Sequence, residues 1–186
     1  MELKELTEAL ESARIDTESW GKDGRRSVAD LLEELNAGMS RLVINKGLVR
    51  YVQTIPIYVL HEEKGGPTWR LLPAEQKGGG QKYAEPATLV QRISREDMPL
   101  ERAHHMLKEE LGFEREQVLV SARKPRFRMR APSPSFQGLR TTYAVFPFSC
   151  RIPDSLFKRE GYTRPKKAGG EVAYLWTPHD RHLGTP

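Results

Sequence analysis

The chain reads as a mixed α+β domain preceded by a helical extension, and three observations predict this. Apolar residues recur at helical spacing over residues 2–13 and 99–111. β-Branched and aromatic residues dominate 42–60, 140–150 and 171–176, and Gly- and Pro-rich segments separate these runs. Helices come first, then strands, one central helix and more strands, with no internal repeat, so the elements are segregated.

Leu3, Leu6 and Leu10, with acids between them, give an amphipathic first helix over residues 2–13. A linker with Trp20 and Gly21 follows, and Trp20 is expected to pin the extension to what lies beyond it. Ser27 then precedes Leu31, Leu32 and Leu35, with Asp30 three residues on. That is the spacing of a capping box, and Gly38 closes the helix. Residues 42–60 predict a hairpin turning at Asn45–Gly47 into a long strand, which Pro56 is expected to bulge or confine to a sheet edge. Residues 68–72 are its partner. The triple glycine 78–80 lacks the helix start of a phosphate loop and reads as a turn.

Pro99 suits a first helical turn, and Leu100, Ala103, Leu107 and Leu111 mark an apolar face up to Gly112. Further strands are expected at 117–122, 140–150 and 171–176. The Ser133–Gly138 loop reads equally as a lid or a hairpin connection.

Composition narrows the function classes. The chain has 186 residues, 38% of them hydrophobic and 30% charged, and its single cysteine excludes an internal disulfide framework or a CxxC zinc site. No apolar run approaches the roughly 20 residues of a bilayer helix, which argues against a membrane protein. Six acids in the first twenty residues contradict a signal peptide, so a cytoplasmic setting is expected, or an organelle after loss of a transit peptide. Net charge is +5, yet residues 1–40 hold ten acids against five bases. The excess of cations lies further along, and the stretch from Arg123 to Arg140 contains six bases and no acid. Arg123, Lys124, Arg126, Arg128 and Arg130, with Phe127 and Tyr143 as stacking surfaces, form a candidate site for a nucleotide or single-stranded RNA. A solvated basic strand is the alternative. Cys150 ends an apolar strand and reads as a buried hydrophobe. His179 and His182 lack a third ligand for zinc.

The segment Met106–Phe113 (Met-Leu-Lys-Glu-Glu-Leu-Gly-Phe), with Asp97 and His105 before it, resembles the signature box of the Nudix family. Leu107, the paired acids Glu109 and Glu110, Gly112 and Phe113 follow the family pattern. Gln91 stands where the pattern has its leading glycine, Asp97 its first glutamate, His105 an arginine and Met106 another glutamate. Glu171–Pro178 looks like a later strand of the same fold, so the resemblance runs from about Val49 to Leu183. It implies a Nudix-like α/β/α sandwich with a mixed sheet at 48–186, with 1–47 as a helical extension packed on it. It also implies Mg²⁺ or Mn²⁺ on Glu109 and Glu110, with Asp97 as a third ligand, bridging a diphosphate for hydrolysis. Met106 offers a thioether where a hard cation wants oxygen. The expected function is therefore a Nudix-like protein with an eroded box. It would bind nucleotide or RNA, or serve in an assembly, without efficient turnover. The alternative is a metal-dependent hydrolase of nucleoside-diphosphate-linked compounds, with Glu109 and Glu110 catalytic and Glu101 or Glu171 compensating. A third reading is a scaffold that docks a protein through its acidic N-terminal region.

Overall fold

The computed structural model describes residues 1–75, 86–130, 133, 135–165 and 170–179. They form an α+β protein with a mixed sheet, as the segregated order of elements predicts. Two compact units are defined by the chain: Met1–Thr54, Arg92–Asp97 and Pro125–Phe146 make the first, and Ile55–Gln91, Met98–Lys124 and Pro147–Pro186 the second. The glycine run 78–80 and His182 lie outside the described residues.

The first unit begins with α1 (Leu3–Ser12) and α2 (Val28–Asn36). Ser27 caps α2 as its spacing predicts: its hydroxyl accepts from the Asp30 N–H at 3.1 Å, while the Asp30 carboxylate accepts from Ser27 N at 2.6 Å. Gly38, at φ +70, provides the left-handed turn after the helix, where a side chain would also crowd the Ser94 hydroxyl. β1 (Arg41–Ile44) turns back at Asn45–Gly47 into β2 (Leu48–Glu62). Within this unit β2 lies between antiparallel β1 and parallel β7 (Arg140–Val145), and β6 (Arg126–Arg130) pairs with the far side of β7. β6 thus places the middle of the basic stretch in a strand.

Leu6, Leu10, Trp20, Leu31, Phe136 and Leu139 make this unit's core. Trp20 is the anchor expected of it, with its ring 5.1 Å from Phe136 and its indole N–H donating to Gln137 O at 3.0 Å. Of the Ser133–Gly138 loop, Phe136 is fully buried in this core, as a fastened connection requires, and Pro134 lies outside the described residues. Beside it, one carboxylate gathers three guanidinium groups. Glu34 Oε1 lies 2.6 Å from Arg50 and 2.7 Å from Arg92, and its Oε2 is 2.6 Å from Arg26. Arg50 is itself only 1% exposed and sits 4.9 Å over the Phe136 ring.

In the second unit the remainder of β2 pairs antiparallel with β3 (Thr68–Pro73) and parallel with β8 (Phe148–Arg151), which in turn pairs with β5 (Leu119–Ala122). β3 continues into β10 (Glu171–Pro178) and then β9 (Tyr162–Pro165). Direct pairing of β2 with β3 covers only Leu60–Glu62. There the Thr88 hydroxyl accepts from Val59 N at 2.9 Å and donates to Leu71 O at 2.6 Å, bridging the two strands just before β4 (Leu89–Ile93). Pro56 neither bulges β2 nor lies at an edge. It falls between Thr54, the last residue paired with β7, and Ile57, the first paired with β8, and the register is unchanged across it.

α3 (Pro99–Leu111) has the predicted bounds and ends on Gly112 in the left-handed conformation. Its apolar face is rotated from the expected one: Ala103, Met106 and Leu107 are buried, whereas Leu100 is 40% exposed. Phe113, Tyr162, Trp176, Phe157 and buried His61 form a chain of ring contacts at 4.0–6.2 Å in this unit. Cys150 is buried as expected, and desolvation pushes its thiol up to about 12. His179 contacts Arg70 and donates its backbone N–H to Thr68 O at 2.8 Å, extending the β3–β10 ladder.

Candidate functional site

Met106 and Glu110 are one helical turn apart on α3 and face the same way. With Thr88, Val90, Gln91 and Tyr174 they line a pocket of about 220 Å³ in the second unit. Position 106 is core: Met106 is 3% exposed and packs as one of the three buried residues of α3. Gln91 does not leave a glycine-like gap. Its side-chain oxygen accepts from Arg102 Nε at 3.1 Å, tying β4 to the first turn of α3.

The paired acids are already engaged. Glu110 forms an ion pair with Arg164 of β9, and Tyr174 of β10 donates its hydroxyl to Glu110 Oε2 at 3.3 Å. The Glu110 hydrogen bond raises the Arg164 pKa, and burial followed by the Glu110 charge pushes Tyr174 up to about 12. Glu109 turns outward toward His105 Nε2, 3.2 Å away, with both side chains about half exposed. Of the substitute acids, Glu101 is paired with Arg115 at 2.6 Å and Glu171 is exposed at the start of β10. Asp97 belongs to the first unit, where its carboxylate accepts from Ser94 N at 2.7 Å and closes a turn.

A Mg²⁺ or Mn²⁺ ion needs several oxygen donors converging on one point. Among the described residues no group of three or more His, Cys, Asp or Glu side chains is so arranged. A guanidinium already balances Glu110, and a sulfur occupies the neighbouring position. The residues present do not fit a divalent cation in the manner the box implies.

The basic stretch is divided by the register of β6. Side chains alternate along a strand, so Arg126 and Arg128 point to one face and Phe127 to the other. Tyr143 is opposite Arg128 and shares the arginine face, whereas Ala144 is opposite Phe127. Phe127 and Tyr143 therefore do not serve one surface together with the arginines. Arg130 is opposite Thr141 in the same ladder. Arg123 and Lys124 fall in the second unit, where Arg123 lies 4.5 Å over the Tyr58 ring.

Arg164 and Tyr174 are the residues that sequence reading missed at Glu110. Tyr174 stood in a strand already recognised. Arg164 had only the short alternation after Gly161 to suggest a strand, and no sequence signal pairs it with α3.

No family model matches the chain, and no curated protein matches it. Among solved structures it is similar to a crystal structure of C. elegans Ap4A hydrolase, at 11% identity and a TM-score of 0.42, over 69% of this chain and 80% of the other. It is also similar to a C. elegans Ap4A hydrolase binary complex, at 12% and 0.34 over 55% and 69% of the two chains. A third is a Nudix hydrolase from M. smegmatis, RenU, at 15% and 0.36 over 73% and 78%. The last bears the name of the family that residues 106–113 resemble. No helix among the described residues is long and apolar enough to cross a membrane.

Proposed function

We propose that this chain is a Nudix-like protein with a degenerate box, which binds a nucleotide or RNA without efficient turnover. The observation that carries the reading is Glu110, whose carboxylate is met by Arg164 and Tyr174 while buried Met106 takes the adjacent position. A fixed guanidinium supplies the positive charge that a metal would bring, but it carries no bound water to activate as a nucleophile. Phosphate attraction is left to the excess of cations beyond residue 40.

The test offers the purified protein a panel of nucleoside-diphosphate-linked compounds with Mg²⁺ or Mn²⁺, beside a Glu110→Gln control. The expected result is no turnover above the control, together with nucleotide or RNA binding that weakens as salt rises. Metal-dependent hydrolysis that disappears in Glu110→Gln overturns the reading in favour of a hydrolase with a rearranged site.

A further inference from the structure

Besides the pocket at Glu110, a larger one of about 380 Å³ lies wholly within the first unit, in the size range of small-molecule sites. Arg41, Tyr51, Gln53, Arg95, Phe127 and Phe146 contribute to its lining. Among the described residues no acidic side chain lines it.

Three features point to its occupant. The first is Phe127, a large ring 73% exposed at the pocket wall, presented there because the β6 register turns it away from Arg126 and Arg128. An aromatic ring held on a strand and left open to solvent is a stacking surface for a planar ligand. The second is cationic. Arg41 lies 5.4 Å over the Tyr51 ring and has no acidic partner among the described residues, and Arg95 has only a loose 3.9 Å contact with exposed Glu96. Both guanidinium groups are open to an incoming phosphate, which they recognise through paired N–H donors. The third is Gln53, whose amide carries both a donor and an acceptor and suits the hydrogen-bonding edge of a base.

We infer that this pocket is a binding site for a free nucleotide, with its base against Phe127 and its phosphate held by Arg41 and Arg95. The inference rests on the reading of the chain as a nucleotide binder and gives that ligand a place outside the residues of the Nudix-like box. A single-stranded RNA fits less well. Its backbone would follow Arg126 and Arg128, and these point to the opposite face of β6 from Phe127, the β6 ring that lines the pocket.

The test is isothermal titration of the full chain with AMP, GMP, CMP and UMP, with adenosine and ribose 5-phosphate as half-probes and a mixed-sequence single-stranded RNA as the competing ligand. Phe127→Ala, Arg41→Gln and Arg95→Gln are measured beside an Arg126→Gln/Arg128→Gln double variant, and thermal unfolding checks that each remains folded. A mononucleotide should bind more tightly than either half-probe. Each pocket variant should weaken it by about tenfold or more, and the double variant by less than about threefold, because stacking and phosphate contacts are each of that order. Mononucleotide binding unchanged by the three pocket variants overturns the inference, and so does the absence of mononucleotide binding. RNA binding that is lost only in the double variant overturns the pocket but leaves the binding reading standing. Failure of every probe to bind removes both.

Discussion

Glu34 shows how a single carboxylate can hold a unit together. Burial would raise its pKa, but the close Arg92 guanidinium and the charges of Arg50 and Arg92 outweigh desolvation and hold it down to about 2, against 4.5 for a free glutamate. A depressed carboxyl contributes stability that is fully present above its unfolded pKa and is lost as pH falls through its folded value. Stability measured by urea unfolding is therefore expected to drop between about pH 4.5 and pH 2, by a few kcal/mol from this group. Glu34→Gln should remove most of that contribution at neutral pH. It leaves Arg26, Arg50 and Arg92 without their shared anion, at a cost of about 3–5 kcal/mol. A variant as stable as the parent at pH 7, with an unchanged acid limb, would show that the cluster is not structural.

At the scale of the element, α3 decides whether residues 106–110 form core or a ligand site. Ala103, Met106 and Leu107 bury one stripe, and Glu109 is rotated off it toward solvent. If position 106 is a packing position, Met106→Leu should cost less than about 1.5 kcal/mol, because volume is kept. Met106→Ala should cost about 2–5 kcal/mol through the cavity it leaves. Thermal unfolding of the two variants distinguishes them, and equal stability of both would mean that the thioether is not core. Strand β6 teaches the same lesson for the basic stretch. Five cations between residues 123 and 130 look like one patch when written in a line. The alternation of β6 separates Phe127 from Arg126 and Arg128, and Arg41 and Arg95 become the cations beside the ring.

For the whole molecule, Cys150 is a reporter of opening. It is fully buried on β8 and its thiol is raised to about 12, well above the ordinary cysteine value. Maleimide labelling of the native chain at neutral pH is expected to be slow. It should accelerate with urea in step with the loss of secondary structure, because the thiol must be exposed before it can ionise and react. Stoichiometric labelling within minutes in buffer would contradict the packing of β8 between β2 and β5.

The sequence by itself determined the elements whose signals are local. Ser27 with Asp30 specifies a helix start through short-range hydrogen bonds, Gly112 a helix end through its positive φ, and the Leu48–Glu62 strand declares itself through continuous β-branched and aromatic residues. β9 and β4 escaped because four or five residues carry too little periodicity to stand out. Glu109 and Glu110 were legible as a pair, but their partners were not. A helix repeats every 3.6 residues and a strand every two, so each side chain's direction follows from its own element, whereas the group that meets it comes from distant chain. Only the tertiary structure brought Arg164 and Tyr174 to Glu110, buried Met106, and set Arg41 and Arg95 around Phe127. Charge neutralisation and pocket shape depend on distances between segments far apart in sequence, and those distances exist only once the sheet has paired.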